Sequence, residues 1–289
     1  MKTKILVTGA NGQLGSEIRK ISGLFPEMEF NFTDVAELDI TNPWTVADFL
    51  TVNKPDFLVN CAAYTAVDKA ETDVSTATLL NATAVGILAE QSAEVGCKII
   101  HVSTDYVFNG RGPRPYKEDD RVDPQSVYGK TKLEGETLCM KNNPESIIIR
   151  TSWLYSAFGN NFVKTMIRLG NEKTELGVIA DQIGSPTNAA DLARAILTII
   201  SSVISAEKPF APGIYHYSNE GVASWYDFTK AIFEIAGISC LAKPIASEDY
   251  PSSVKRPPYS VMNKSKIKLI FGLQIPHWRD SLIEYFQKK

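Results

Sequence analysis

The sequence has few of the residues that metal sites and disulfide frameworks need. Its four cysteines lie far apart with no paired spacing, which argues against a disulfide framework or a zinc site and predicts reduced thiols in the cytoplasm. Its three histidines are equally scattered, so a histidine-based metal site or triad is not expected. No apolar run reaches the ~18 residues of a membrane span. The N-terminal residues also lack the long apolar core of a signal peptide.

Neither positive nor negative charge is in large excess. A formal net charge of -3 and a pI near 5.7 give no indication of nucleic acid or a membrane surface as a partner. Hydrophobic residues make up 44% and charged residues 22% of the chain, as is usual for a soluble globular protein. A length of 289 residues predicts one large domain or two closely packed ones.

A glycine-rich turn lies near the N-terminus, between a predicted strand and a predicted helix. The apolar run 4–7 leads into the turn, and residues 16–21 have helical character. Gly9, Gly12 and Gly15 let the backbone turn tightly and approach a pyrophosphate, and the helix start offers free N–H groups to it. The context predicts a dinucleotide site, although the spacing is G-x-x-G-x-x-G and a plain glycine-rich turn is the alternative.

Two acidic residues are candidates for binding the adenosine of such a cofactor. Asp34 ends the second predicted strand, about 20 residues past the glycines, where an acid commonly binds the ribose. Asp39 is placed to reach the adenine edge, and either acid can instead be a turn residue or a helix cap. No Arg or Lys lies between Asn31 and Thr41, which tilts the local chemistry toward NADH and leaves NADPH open.

Strands and helices alternate along the first half of the chain. Further strands are predicted at 56–60, 98–102 and 146–150, and helices at 44–53 and 74–95. This order predicts an α/β fold with a doubly wound, Rossmann-like parallel sheet over residues 1–155. Residues 156–289 are predicted to form a smaller α/β substrate domain, with 187–206 packing back onto the first domain.

Tyr128 and Lys132 are four residues apart at the predicted start of a helix, which places both side chains on one face. A nearby ammonium is predicted to lower the pKa of the phenol. By itself this pair is common, and a half-buried tyrosine beside a solvated lysine is the alternative. Ser103 and Thr104 end a strand at the same edge of the sheet. The set predicts ketone reduction, with Tyr128 as general acid, Lys132 on the nicotinamide ribose, and Thr104 or Ser103 on the carbonyl oxygen.

Longer segments narrow this interpretation to one family. They are N-C-A-A-Y-T-A-V-D at 60–68, S-T-D-Y-V-F at 103–108, Y-G-K-T-K at 128–132, R-T-S-W-L-Y at 150–155, G-N-N-F at 159–162 and D-Q-I-G-S-P-T at 181–187. Together with the glycine turn they resemble the dTDP-4-dehydrorhamnose reductase family of the extended short-chain dehydrogenases/reductases, over nearly the whole chain. The resemblance implies reduction of the C4 ketone of dTDP-4-dehydro-L-rhamnose by NADPH or NADH.

The resemblance also implies roles for individual residues. Thr104, Tyr128 and Lys132 match the catalytic trio. Cofactor contacts are implied at Gly12, Gln13, Leu14, Asp39, Ile40, Ala62, Ala63 and Thr65. Positions near the sugar are implied at Val67, Tyr106 and Trp153. Some members bind Mg²⁺ through carboxylates at a homodimer interface; Glu17 fits one such position, and metal binding is left open.

The loop at 255–260 contains two prolines and Arg256. The planar guanidinium is suited to a nucleotide diphosphate, and a solvated arginine in a rigid loop is the alternative. An epimerase or dehydratase of the same superfamily is an alternative function. Dehydratases, however, add an acidic pair beside the threonine, whereas Thr104 is followed by a single acid and Tyr106. A non-catalytic dinucleotide-binding regulatory subunit is the other alternative, and retention of the catalytic trio argues against it.

Overall fold

The computed structural model describes residues 2–250 and 254–287. The strands are β1 (Thr3–Thr8), β2 (Met28–Thr33), β3 (Phe57–Asn60), β4 (Lys98–Thr104), β5 (Ser146–Thr151), β6 (Leu154–Tyr155), β7 (Glu175–Ile179), β8 (Ile183–Gly184), β9 (Thr187–Asn188), β10 (Gly213–His216), β11 (Ala223–Ser224) and β12 (Leu241–Ile245). The helices are α1 (Gln13–Ile21), α2 (Pro43–Asn53), α3 (Val67–Ala70), α4 (Val74–Thr78), α5 (Ala84–Glu94), α6 (Val127–Asn142), α7 (Phe162–Glu172), α8 (Ala189–Ile204), α9 (Trp225–Ala236), α10 (Ser265–Phe271) and α11 (Trp278–Gln287).

The centre of the fold is a parallel sheet of six strands in the order β10-β5-β4-β3-β1-β2. Its strands are apolar on both faces, as Ile5, Leu6 and Val7 illustrate, each at most 1% exposed. Ile5 and Val7 face a core that includes residues of α1 and α8, whereas Leu6 faces a core that includes residues of α2 and α5. Helices therefore cover both faces, and the predicted doubly wound, Rossmann-like sheet is confirmed.

Side-chain caps fix where the helices begin. The Ser126 hydroxyl accepts a hydrogen bond from the Gly129 N–H at 3.1 Å, which starts α6 just before Tyr128. Asn42 caps α2 in the same way, and Ser224 forms a capping box with Asp227 at α9. These caps place Tyr128 in the first turn of α6, at the carboxyl edge of the sheet.

The helix predicted over 74–95 runs from 74 to 94 but contains a π-helical turn, Leu79–Thr83, between α4 and α5. Asn81 lies in this turn, and its side chain accepts from the Tyr64 N–H at 2.8 Å and donates to the Tyr64 carbonyl at 3.1 Å. An extra residue in one turn shifts the residues that follow it around the helix axis. The turn thus ties this helix to the loop that follows β3.

A smaller unit is built from α7, α9, α11 and the β7–β12 pair around its own apolar core. Two segments from the second half of the chain return to the central sheet. The helix α8 packs against α1, and β10 pairs in parallel with β5. The boundaries predicted from the sequence remain a prediction, and the chain passes between the two units more than once.

Candidate active site

The carboxyl ends of β1, β3, β4 and β5 open onto two adjoining cavities of about 550 and 440 Å³. The larger is lined, among others, by the predicted residues Gly12, Gln13, Leu14, Ala63, Thr65, Val67, Ser103, Thr104, Tyr106, Tyr128, Lys132 and Trp153. The smaller is lined, among others, by Gly9, Gly12, Asp34, Asp39, Ile40, Ala62 and Ala63. Because Gly12 and Ala63 line both, the two cavities form one continuous cleft. Gly15 and Arg256 are the predicted residues outside these linings.

The glycine turn brings the backbone of β1 against the loop after β3. Gly9 has a φ of +64°, and a Cβ there would lie 2.6 Å from the Ala62 nitrogen. Gly12 precedes α1 and lacks a side-chain cap, so the N–H groups of the first turn remain available to an anion. Gly15 serves packing, because a Cβ there would lie 2.6 Å from Ala10 Cα.

The two candidate acids are both held by local hydrogen bonds at the smaller cavity. Asp34 accepts from the Asn11 N–H at 3.0 Å. Asp39 accepts from the Thr41 hydroxyl at 2.7 Å and from the Thr41 N–H at 2.9 Å, and these bonds lower the pKa of Asp39. The helix cap is Asn42, not either acid. Both carboxylates are therefore fixed at the cavity wall where the adenosine half of a dinucleotide is expected.

An arginine that the sequence interpretation overlooked stands near the same end of the cleft. Arg19 projects from α1, and its guanidinium donates to the Asn11 side chain at 3.5 Å while lying over the Phe32 ring. Asn11 also hydrogen-bonds Asp34. Arg19 lies on α1, outside the segment between Asn31 and Thr41, so the absence of a cation in that segment says nothing about it.

Thr104 and Tyr128 converge at the floor of the larger cavity. The Thr104 side chain lies beside the Tyr128 phenol and acts to lower its pKa, while its hydroxyl donates to Asp105 at 3.0 Å. Burial raises the pKa of Tyr128 above its usual value, so the predicted lowering by Lys132 is wrong. Desolvation of the phenolate is the largest cause of this shift, and Thr104 is the neighbour that opposes it. Tyr128 is consequently a neutral phenol at neutral pH, the form that can donate a proton.

Lys132 is buried and held away from bulk water. Its Nζ donates to the Val102 carbonyl at 2.7 Å and lies 3.3 Å from His101 Nε2. Burial lowers the pKa of Lys132 to about 8, while the Glu136 carboxylate one turn further along α6 opposes this change. Lys132 is therefore a group whose charge responds to pH near the physiological range.

Ser103 makes its side-chain hydrogen bond to α6, away from Thr104 and Tyr128. Its hydroxyl donates to Glu136 at 2.6 Å, and Arg150 forms a bidentate ion pair with the same carboxylate at 2.7 and 2.9 Å. Both charged side chains are 2% exposed. Of the two hydroxyls that the sequence offered for the carbonyl oxygen, Thr104 is thus the one that adjoins Tyr128.

Aromatic rings form the far wall of the larger cavity. Trp153 has a φ of +49°, which is unusual for a residue with a side chain, and stacks on Trp225 with ring centroids 3.5 Å apart. A Cβ at Gly184 would lie 2.6 Å from the Trp153 ring, so the absence of a side chain there makes room for it. The sequence interpretation missed Trp225, which comes from α9 in the smaller unit.

Arg256 stands at the mouth of the cleft. It forms an ion pair with Asp68 at 2.6 Å and lies close enough to the Tyr106 side chain for the two to shift each other's pKa. Its side chain is 26% exposed. Through this ion pair the loop at 255–260 contacts α3, beside Tyr106, which lines the larger cavity.

Within residues 2–250 and 254–287, no three His, Cys, Asp or Glu side chains lie together in a way that could hold a metal ion. Glu17 is buried in α1. In the same part of the chain no helix is both long and apolar enough to span a membrane.

A Rossmann-like sheet with a glycine turn, a Tyr-x-x-x-Lys pair and a threonine at one cleft defines a dinucleotide-dependent oxidoreductase of the short-chain dehydrogenase/reductase type. The model of the RmlD substrate binding domain family matches residues 3–289, and the chain belongs to this family.

Curated relatives match the chain from end to end. It is 44% identical to dTDP-4-dehydrorhamnose reductase of Aggregatibacter actinomycetemcomitans, with 96% of this chain and 97% of that protein covered. It is 41% identical to the spore coat polysaccharide biosynthesis protein SpsK of Bacillus subtilis, with 99% and 98% covered.

Solved structures agree with the fold. The dTDP-4-dehydrorhamnose reductase of Clostridium acetobutylicum superposes with a TM-score of 0.93 at 45% identity, covering 99% of both chains. The corresponding enzyme of Bacillus anthracis, solved in complex with NADP, gives a TM-score of 0.94 at 39% identity, covering 100% of both chains.

Proposed function

We propose that this protein reduces the C4 ketone of dTDP-4-dehydro-L-rhamnose to dTDP-L-rhamnose, with NADPH or NADH as the hydride donor. The observation that carries this proposal is that Thr104, Tyr128 and Lys132 line one cavity that is continuous with the glycine turn. Full-length relatives that carry the name dTDP-4-dehydrorhamnose reductase support this substrate.

The roles of the chain's own groups follow from charge development on the ketone. The bound dinucleotide supplies a hydride to C4. As negative charge builds on the carbonyl oxygen, Tyr128 donates its phenolic proton to that oxygen and Thr104 hydrogen-bonds it. Lys132 lines the same cavity, and its Nζ is available to donate to the hydroxyls of the nicotinamide ribose. The cleft residues Gly12, Ala62 and Ala63 leave space for the pyrophosphate beside the start of α1.

Asp105 separates this proposal from the dehydratase alternative. It is the acid next to Thr104, and it is followed by Tyr106, whose ring packs edge-on against Tyr128 with centroids 5.5 Å apart. Burial raises the pKa of Asp105 to about 6. Tyr106 occupies the position where a dehydratase is expected to have its second acid. These side chains therefore support net reduction.

The direct test is to follow NADPH or NADH absorbance on addition of dTDP-4-dehydro-β-L-rhamnose. We expect one equivalent of cofactor to be oxidised per sugar reduced. Sugar conversion without net cofactor oxidation would favour an epimerase or dehydratase, and cofactor binding without any turnover would favour a regulatory subunit.

Replacing Arg256 with Met is expected to raise the KM for the sugar nucleotide about tenfold and to leave kcat nearly unchanged. A guanidinium at the mouth of the cleft pairs with a diphosphate equally in the ground and transition states, and such a contact is worth about 1.4 kcal/mol for a tenfold change. Steady-state kinetics measure both constants. Lys255→Met removes a neighbouring exposed cation and serves as the control; an equal KM rise in both variants contradicts a specific role for Arg256.

Replacing Arg19 with Met is expected to weaken NADPH binding about fivefold and to leave NADH binding unchanged. Only NADPH carries a 2′-phosphate, and an exposed charge pair with it is worth about 1 kcal/mol. Fluorescence titration with each reduced cofactor measures the ratio. Lys20→Met on the same helix is the matched control. A loss of affinity that is equal for both cofactors excludes Arg19 as the phosphate contact.

The cytoplasm is the proposed location, supported by cysteines that are all free thiols in the structure. A dTDP-sugar is the proposed partner. A homodimer without nucleic acid is proposed from the family resemblance and the near-neutral charge of the chain.

A further inference from the structure

Three polar side chains lie side by side beneath the cleft and lead to Lys132. Thr8, Asn60 and His101 occupy paired positions on β1, β3 and β4. Each is at most 1% exposed. The Thr8 hydroxyl donates to Asn60 Oδ1 at 2.7 Å, Asn60 Nδ2 lies 3.0 Å from His101 Nδ1, and His101 Nε2 lies 3.3 Å from Lys132 Nζ. A continuous buried chain of hydrogen-bonding groups therefore connects the strand of the glycine turn to Lys132.

One peptide N–H sets the donor-to-acceptor direction of these hydrogen bonds. The Ala62 N–H lies 3.1 Å from Asn60 Oδ1 and can only donate, so that atom must be the amide oxygen. The NH₂ group of Asn60 then faces His101 Nδ1, which must accept with a lone pair. Burial lowers the pKa of His101 well below its usual value, so the ring is neutral and its single proton is on Nε2. The His101 N–H consequently points at Lys132.

We propose that His101 is a positioning residue that donates from Nε2–H to Lys132 Nζ and thereby stabilises the uncharged form of the amine. The inference rests on the proposed function, in which Lys132 contacts the cofactor. An uncharged Nζ can donate to the Val102 carbonyl at 2.7 Å, accept from His101 and keep one hydrogen for the cleft. A protonated Nζ has no lone pair and meets a second donor at 3.3 Å. His101 therefore raises the free energy of protonating Lys132, which keeps the charge of Lys132 sensitive to pH.

Other ionisable groups face Lys132 from the packed elements around it. They are Tyr128, Glu136 and Cys139 on α6 and Cys61 after β3, in addition to His101 on β4. Glu136, Cys139 and Cys61 all favour the charged amine. Glu136 is itself bound by Arg150 and Ser103. Loss of contact with water raises the pKa of Cys61 to about 12 and that of Cys139 to about 11, and raises the pKa of Tyr128. Lys132, with a pKa of about 8, is the member of this cluster that changes charge in mildly alkaline solution.

The first test is ¹⁵N NMR of the protein labelled at histidine, because the shifts of the two ring nitrogens show which one carries the proton. The chain has only three histidines, and His101→Phe identifies the signal. We expect His101 to be neutral and protonated at Nε2 from about pH 6 to 9, since its pKa is far below the reference of about 6.5. A wild-type Nδ1–H tautomer, or titration at the usual histidine pKa, overturns the proposal.

Two variants test the direction of these hydrogen bonds by the same NMR measurement. Asn60→Asp replaces the NH₂ donor with an acceptor oxygen and is expected to move the His101 proton to Nδ1. Thr8→Val removes one donor to Asn60 Oδ1 but leaves the Ala62 N–H in place, and is expected to keep the Nε2–H tautomer. An unchanged tautomer in Asn60→Asp, or a changed one in Thr8→Val, contradicts the inference that Ala62 sets the direction.

The second test is the pH dependence of kcat/KM, which reports ionisations of the free enzyme. A charged Nζ donates more strongly to the ribose hydroxyls than an uncharged one, so kcat/KM is expected to fall as pH rises through the pKa of Lys132. His101→Phe removes the opposing N–H, so this pKa rises and the alkaline limb moves up by about one pH unit. His277→Phe, remote from the cleft, should leave the limb in place. An unmoved limb in a His101→Phe protein that retains its circular dichroism overturns the proposal. If that variant does not fold, or if the wild type does not turn over this sugar, the tautomer measurement still decides the role of His101.

Discussion

Replacing Tyr128 with Phe is expected to lower kcat for sugar reduction about 10²-fold or more while the affinity for NADPH and NADH stays the same. The substitution removes only the phenolic oxygen, which lies beside Thr104 at the floor of the cleft. The ring keeps its edge-on contact with Tyr106, so the wall of the cleft is preserved. Loss of the proton donor leaves the developing alkoxide to be protonated by water. Steady-state assays and cofactor fluorescence titration separate the two quantities.

Tyr106→Phe is the matched control for this prediction. It also deletes one phenolic oxygen from the same cleft, but that oxygen lies beside Arg256 and not beside Thr104. We expect its main effect on the KM for the sugar, with kcat changed only a few-fold, since no proton passes through it. Equal losses of kcat in the two variants, or full turnover by Tyr128→Phe, would show that Tyr128 is not the proton donor.

Replacing Arg150 with Met is expected to lower the free energy of unfolding by about 3–5 kcal/mol. Arg150 and Glu136 form a bidentate pair with both side chains 2% exposed, so the variant leaves a carboxylate buried without its cation. Methionine retains much of the apolar stem, which confines the effect to the charge. Urea unfolding followed by circular dichroism measures the change.

The partner variant and an exposed pair provide the controls. The double variant Arg150→Met/Glu136→Leu removes both charges and is expected to recover most of the lost stability, because a well-packed apolar pair often replaces a buried ion pair without loss. Arg168→Met breaks an exposed pair with Glu172, with side chains 60% and 53% exposed, and is expected to cost at most about 0.5 kcal/mol. A loss below about 1 kcal/mol for Arg150→Met would mean that water or another group compensates Glu136.

Local signals in the sequence predicted most of the elements that form the cleft. The glycine turn and the spacing of Tyr128 and Lys132 each act over one or two turns of backbone, so neighbouring residues suffice to specify them. The ends of the strands at Asn60 and Thr104 were also predictable from the sequence, since apolar runs stop where parallel strands reach the edge of a sheet. The doubly wound fold followed from their alternation with helices.

Residues that act through distant contacts were missed or misjudged. Trp225 stacks on Trp153 from α9, and Arg19 donates to the Asn11 side chain from α1; the spacing of the predicted motifs indicates neither contact. The pKa of Tyr128 was predicted in the wrong direction, because a spacing of four residues reveals the nearby ammonium but not the burial that raises this pKa. Burial is a property of the whole packed structure and not of a local segment.

The sequence by itself determined that a dinucleotide turn, a threonine and a Tyr-x-x-x-Lys helix meet at one edge of a parallel sheet. These are consequences of backbone periodicity and of strand order. Only the tertiary structure decided that Thr104 adjoins Tyr128 while Ser103 turns to Glu136, and that His101 faces Lys132. Such choices depend on which face of a strand is packed against which helix, and a hydrogen bond at 3 Å is set by the positions of three strands and a helix together.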